Sequence, residues 1–261
     1  MTITAPSLPL PDQATTDLAQ QYDTPLGVAH STMQVLKDRI KLHYDLASDY
    51  YLSLWGEHIH HGYWPTEESQ ATLTKEEAQI NLIQLLLDIS QCPTNNTVLD
   101  VGCGIGGTSR YLASQHGCTV TGITISSKQV EIANRLTKAA TESETATKST
   151  IDDVPGTPDA DGFVRLGLGK VRFVELDAEK MAEFFSGQGG TFGTVWISEA
   201  LTHFPNKALF FQNAKRVLQP GGKVVLADWF KAEDLDEATF ANNIKPIEGK
   251  LIDHTSSGYI Y

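Results

Sequence analysis

Positive charge is scarce in this chain. Twenty Lys and Arg stand against 32 Asp and Glu, giving a formal charge of −12 and a pI near 5.0. Such a surface repels phosphate backbones and anionic lipid, which argues against a nucleic-acid or membrane-surface role. Cysteine is also sparse: Cys92, Cys103 and Cys118 form no CxxC pair and no even-numbered framework. That usage suits a reducing compartment rather than a disulfide-stapled secreted module. No apolar run approaches the roughly 18 residues a membrane span needs, and Met1 to Pro11 lack a basic segment followed by an apolar one. A soluble cytoplasmic protein is therefore expected. No Gly-Lys-Ser/Thr follows a glycine loop, which excludes the phosphate cradle of nucleotide hydrolases.

What is present is enough for a large core. The chain has 261 residues, 41% of them hydrophobic, and this excludes wholesale disorder. Residues 1–30 are rich in Pro, Thr, Gln and Asp and read as a mobile arm. Residues 31–92 read as a helical, aromatic cap, with Tyr44, Tyr50, Tyr51, Trp55, Tyr63 and Trp64 close together. Ile80, Ile83 and Leu87, widened by Leu82, Leu85, Leu86 and Ile89, predict a helix over 75–89 with a face broad enough to lie on a sheet. Pro93 ends it.

From residue 93 to 261 the pattern alternates. Strands are expected at 98–101, 119–123, 171–176, 194–197 and 223–229, with helices at 108–115, 127–139, 207–218 and 234–250. Repeated β-α alternation with short connections implies a Rossmann-like, doubly wound, mostly parallel sheet covered by helices on both faces. Residues 141–165 are acidic and polar and read as a solvated insertion. The stretch 258–261 leaves room for one short strand at most. The sheet edge beyond the strand at 223–229 is then expected to be exposed to a partner or to a second copy.

Chemistry concentrates where the first strand meets its helix. Gly102-Cys103-Gly104-Ile105-Gly106-Gly107 lies at the carboxyl edge of the sheet, where open α/β folds bind ligands. Glycines there let a ligand approach bare backbone. A dinucleotide site normally places an acid about twenty residues further on, and neutral Thr124 stands there instead. Asp100 suits a cationic ligand better than a pyrophosphate, or it hydrogen-bonds the following turn.

Taken together, 98–107 resembles the first motif of class I S-adenosylmethionine-dependent methyltransferases. Thr121 to Ser126 with Gln129 resembles the ribose-facing segment of that family, and Glu175 to Ala178 the adenine-facing loop. Arg216 to Gly222 is similar to the turn before its last parallel strand. Trp55 to Trp64 and Ser198 to Phe204 resemble the tocopherol and sterol branch of the same family.

The resemblance implies S-adenosylmethionine as cofactor and a small acceptor, apolar or aromatic, with no metal. It implies that Gly102 and Gly104 lie beneath the methionine part, with Cys103 between them in the donor-binding loop as a small packing residue, and that Asp100 and the main chain around Ser198 serve its ammonium. Thr124, Ile125, Ser126 and Gln129 would face the ribose, Asp177 and Ala178 the adenine, and Tyr63 would cover the site. His203, His61 and His60 are candidate bases, with Glu57 and Glu199 to orient them or to meet a cationic substrate. The resemblance also implies a final antiparallel strand pair, which is expected to be missing here, and a catalytically impaired, donor-binding remnant or assembly component is the other reading of so short a carboxyl end. Gly193 stands where the family usually has Asp, a change expected to weaken a surface contact. Asp100, Ser126 and Asp177 are expected to face one shared hollow.

Overall fold

The computed structural model describes residues 33–145, 156–188, 191–230 and 235–244. The expected arm, much of the acidic stretch, residues 234 and 245–250 of the expected last helix, and the closing residues 258–261 lie outside them. Three helices open the described chain: α1 (Met33–Trp55), α2 (Glu67–Thr72) and α3 (Lys75–Ser90). Thr66 and Thr74 start α2 and α3 with capping boxes, each hydroxyl accepting from the third backbone N–H while that residue's side chain returns the bond. Then follow β1 (Thr97–Val101), α4 (Gly107–His116), β2 (Thr119–Thr124), α5 (Ser127–Thr145), β3 (Val164–Leu166), β4 (Gly169–Glu175), α6 (Met181–Phe184), β5 (Phe192–Ser198), α7 (Lys207–Val217) and β6 (Leu218–Ala227).

The strands form one sheet in the order β3-β4-β2-β1-β5-β6, parallel except for the β3–β4 pair. Alternate residues feed opposite faces. Leu99, Val101, Ile123, Val195 and Ile197 pack with Met181, Phe185 and Phe210. Val98, Val120, Trp196 and Val225 pack with Ile83, Leu87 and Leu112 on the other side. The chain winds outward from β1 through β2 to β4, then crosses back to β5. This reversal opens a crevice at the carboxyl ends of β1 and β5, and that crevice positions the site.

Two expectations change. The stretch 141–165 is not all wet loop, because α5 runs on to Thr145 and β3 closes the segment. The Asp159 carboxylate accepts from the backbone N–H groups of Asp161 and Phe163 at 2.9 Å, forming a turn. Lys170 and Arg172 then lie over the Phe163 ring, 4.4 and 4.5 Å from its centroid, and anchor the turn to β4. Gly193 is not at a surface either. It is buried within β5, and a Cβ there would sit 1.9 Å from Asn96 Oδ1. Among the described residues no strand follows β6, and its outer edge has no neighbouring strand. No helix among them is long and apolar enough to cross a membrane.

The cap is tied to the sheet by one buried cation. Arg110, 4% exposed, donates to the Ile105 carbonyl at 2.7 Å and to Glu57 at 2.9 Å. Burial lowers its affinity for a proton, and Glu57 offsets part of that. Removing Glu57 strands a buried guanidinium, whereas removing Arg110 frees a carboxylate that water can reach. Glu57→Ala is therefore expected to cost about 2–3 kcal/mol and Arg110→Met less, as read from urea denaturation midpoints.

Candidate functional site

The crevice holds a cleft of about 810 Å³, counting space open to solvent, and a smaller adjoining recess of about 320 Å³. Gly102, Gly104, Ile59 and Ser198 line both. β1 and β2 build the floor. The backbone N–H groups of Gly102 and Cys103 both donate to the Ile123 carbonyl, at 2.9 and 3.0 Å, and this folds the glycine loop back over β2. Gly102 has φ +71°, and a Cβ on it would stand 2.5 Å from Ala200 Cβ at the end of β5. Gly107 meets the cap: a Cβ there would be 2.1 Å from the Glu57 carbonyl oxygen.

Asp100 lines the smaller recess and is 3% exposed. Burial pushes its carboxyl up to about 6, while the Ser109 hydroxyl, donating at 2.6 Å, pulls the other way. Asp100 thus holds the first turns of the following helix α4 through Ser109 and also faces a recess. Cys103 lines the same recess with a thiol that burial holds well above its ordinary value, so it is inert. His58 and His60 complete the wall. Burial lowers both, His58 to about 3, with His60 and Arg110 adding to the effect on His58. Ser198 Oγ is buried with no hydrogen-bond partner among the described residues.

The main cleft brings together Thr124, Ile125, Gln129, Asp177, Ala178, Ser198, Glu199 and His203. Thr124 ends β2 and donates its hydroxyl to Gln129 Oε1 at 2.5 Å. Ser126 lines neither space. Its hydroxyl accepts from Gln129 N at 3.1 Å, capping α5, and donates to Asp45 at 2.6 Å. Only Asp100 and Asp177 of the expected trio therefore face the joined hollow. Tyr63 lines neither space, its backbone N–H donating to Ala78 at 2.8 Å. His61 stands beside the cleft rather than in its wall, bonded to Glu199.

Sequence reading missed α1 as a wall. Lys37, Ile40 and Tyr44 all line the cleft, and their spacing of three and four was the available signal. Lys37 reaches Asp177 at 2.8 Å and Glu179 at 2.5 Å, while Lys41 reaches Glu175 at 2.5 Å and the Ile125 carbonyl at 3.0 Å. Partial burial works against the Lys37 charge, but the two carboxylates outweigh it and raise its pKa. Tyr44 Oη lies 2.9 Å from His203 Nε2. Burial, with His43 and Lys207 nearby, lowers His203 to about 4, so its ring is neutral at pH 7. Asp228, beyond β6, was also missed. Its carboxylate accepts from Leu201 N at 2.8 Å and fixes the turn that carries His203. Among the described residues no cluster of His, Cys, Asp and Glu could hold a metal.

The site's chemistry is acceptor-rich. Its lining cation Lys37 is already neutralised by Asp177 and Glu179, and the remaining polar groups are carboxylates, hydroxyls, an amide and neutral imidazoles. Such a cradle fits a small molecule carrying its own positive charge.

A family model described as mycolic acid cyclopropane synthetase matches residues 31–250. The chain is 32% identical over 229 residues to a probable chloroplastic tocopherol O-methyltransferase of Oryza sativa subsp. japonica, covering 86% of this chain and 54% of that protein. It is 31% identical over 243 residues to a 2-methyl-6-phytyl-1,4-hydroquinone methyltransferase of Synechocystis sp., covering 91% and 62%. The chain thus spans roughly half to three-fifths of these relatives. Among solved structures, the [4+2]-cyclase SpnF superposes with a TM-score of 0.59 at 24% identity, covering 77% of this chain and 63% of that one. That likeness bears on the fold.

Proposed function

This chain belongs to the mycolic acid cyclopropane synthetase family, and on that premise we propose that it transfers a methyl group from S-adenosylmethionine to a small apolar or aromatic acceptor. The observation carrying the reading is the acceptor-rich double recess beneath a bare glycine. Its fit to this donor is supported by Gly102, whose bare backbone lines both spaces, and by the Ser198 hydroxyl in the recess with Asp100, buried and with no hydrogen-bond partner among the described residues. Asp100 and Ser198 would hold the donor's ammonium. Gln129 and Thr124 would hold the ribose hydroxyls, and Asp177 with the Ala178 N–H the adenine edge. Ile125 and Leu176 supply apolar walls. The 2-methyl-6-phytyl-1,4-hydroquinone named for the Synechocystis relative is consistent with an apolar, ring-bearing acceptor.

When bound, the donor supplies a carbon already activated by positive sulfur. The chain's residues then have to align two reactants and keep water out. The neutral Tyr44–His203 pair, held by the Asp228-capped turn, forms a wall of fixed shape over the cleft. The Lys37 and Lys41 pairs hold α1 across the adenine end. The cysteines, free among the described residues, suit a reducing cytoplasm. The outer edge of β6, which has no neighbouring strand among the described residues, is where we place a partner or a second copy. Light scattering checks this, and a monomer at high concentration removes the second copy.

The test is direct. Calorimetry with S-adenosylmethionine is expected to give one site, and mass spectrometry over a phenol and quinol panel a product heavier by one methylene. Donor binding without any product favours the impaired-remnant reading. Absence of donor binding ends both.

A further inference from the structure

One side chain beside the cleft is arranged with more constraint than packing requires. Glu199 follows β5 with φ +52°, a left-handed conformation unusual for a residue with a side chain. Holding a residue with a side chain there is unfavourable, and such outliers cluster at functional sites. Its backbone N–H donates to the Ala227 carbonyl at 2.7 Å, which locks the bend. Its carboxylate lines the cleft and grips one residue of the cap twice: Oε1 accepts from His61 N at 3.0 Å, and Oε2 lies 2.7 Å from His61 Nδ1.

An ionised carboxylate only accepts hydrogen bonds. The Glu199 contact therefore puts the ring proton on Nδ1 and leaves the lone pair on Nε2, at the far edge of the imidazole. Nε2 has no hydrogen-bond partner among the described residues, and the His61 side chain is 50% exposed. The ring is wedged edge-on between two indoles, Trp55 at 5.1 Å and Trp229 at 4.9 Å between centroids. Both contacts are T-shaped, at interplanar angles of 72° and 82°, and the Trp229 indole, 58% exposed, leaves apolar ring surface open beside the imidazole. The other charged or titratable neighbour on the cap is His60, whose Nδ1 lies 2.8 Å from the His61 carbonyl.

We propose that His61, oriented by Glu199, is the general base of the transfer reaction and that its acceptor is a hydroxyl on a flat ring, a phenol or hydroquinone. The inference rests on the methyl-transfer reading above and adds to it the proton's destination. The acceptor's O–H proton passes to His61 Nε2, and an oxygen lone pair forms the new O–C bond. The electron pair of the breaking C–S bond stays on sulfur. The imidazolium, stabilised by Glu199, returns its proton to solvent from its exposed edge. His203 is poorly suited to this task. Its Nε2 is already engaged by Tyr44, and burial leaves it too weak a base to draw a proton from a phenol.

The test uses the full chain with 2,3-dimethyl-1,4-hydroquinone as probe, the matching aniline as competitor, and [15N]histidine labelling. In the unaltered protein, long-range proton–nitrogen spectra are expected to show His61 protonated at Nδ1. His61→Asn keeps a donor near the Nδ1 position and removes the base, and should lower kcat at least hundredfold. Glu199→Gln should lower kcat at least thirtyfold with KM changed less than threefold, and should weaken the Nδ1 preference in the spectrum. Both variants should bind S-adenosylmethionine within threefold of the parent. A kcat within threefold of the parent in His61→Asn overturns the proposal, as does a His61 ring protonated at Nε2. Failure to methylate the hydroquinone, or equal methylation of the aniline, overturns the acceptor class. If the parent protein does not bind the donor at all, it is the methyl-transfer reading that fails.

Discussion

Replacing Asp100 by asparagine is expected to make the free protein more stable and its complex with the methyl donor weaker. The carboxyl is 3% exposed, and burial raises it from 3.8 to about 6. A carboxyl raised in the folded state holds its proton more tightly there than in the unfolded chain. Its contribution is therefore most favourable below about pH 4 and is lost as pH climbs through 6. The loss amounts to about 3 kcal/mol at neutral pH. Asparagine never ionises and can still accept from the Ser109 hydroxyl. The variant should gain about 2–3 kcal/mol at pH 7, some 4–8 °C in Tm, with no gain at pH 4. Scanning calorimetry across that range checks the slope. Donor binding should move the other way. Losing a charge-assisted bond to an ammonium costs about 1.5–3 kcal/mol, or ten- to hundredfold in Kd. The parent's own donor affinity should rise with pH through 6. Unchanged donor affinity in the asparagine variant would remove Asp100 from the donor site.

Gly102→Val should cost more still. The backbone at φ +71° disfavours any Cβ and a branched one most, and the new atom would stand 2.5 Å from Ala200 Cβ. Either the glycine loop lifts or the end of β5 shifts, carrying Ser198 and Glu199 with it. Donor affinity is expected to fall at least a hundredfold, about 2.7 kcal/mol, together with a lower Tm. Two companions separate the causes. Gly162→Ala carries a comparable φ of +81° with nothing within 4 Å, so it should lose stability and leave donor binding alone. Gly102→Ala combined with Ala200→Gly relieves the clash. That pair should regain stability and donor binding together relative to Gly102→Ala, because the new Cβ then takes the space the Ala200 Cβ leaves. Stability regained with donor binding still impaired would mean that the bare glycine serves the ligand as well as the loop.

The parts legible in the sequence were those with short-range signatures. The five parallel strands announced themselves as apolar runs bounded by glycine or proline, and the α3 stripe and the glycine loop by spacing. Most residues expected around the donor do line the cleft or its recess. The misreadings share a cause, which is that tertiary contacts reassigned side chains whose local pattern was ambiguous. Ser126 looked like a ligand group but caps a helix against Asp45. The acidic stretch looked solvated, but Asp159 and Phe163 organise it from within and from β4. Gly193 looked like a surface change, yet it makes room for Asn96, nearly a hundred residues away. Lys37 gave only the helical spacing it shares with Ile40 and Tyr44, and Asp228 gave no signal, because their roles exist only once α1 and the end of β6 are brought to the crevice.

The parallel sheet also gives the protein two unequal ends. Five strands deliver their carboxyl ends to the cleft, and the chain before β5 turns at the opposite end through Ser186–Gln188. A side chain built on Gly187 there would meet nothing within 4 Å. A linker joined through a cysteine at that corner would anchor the protein to a resin or sensor chip with its working crevice turned toward the flowing solution.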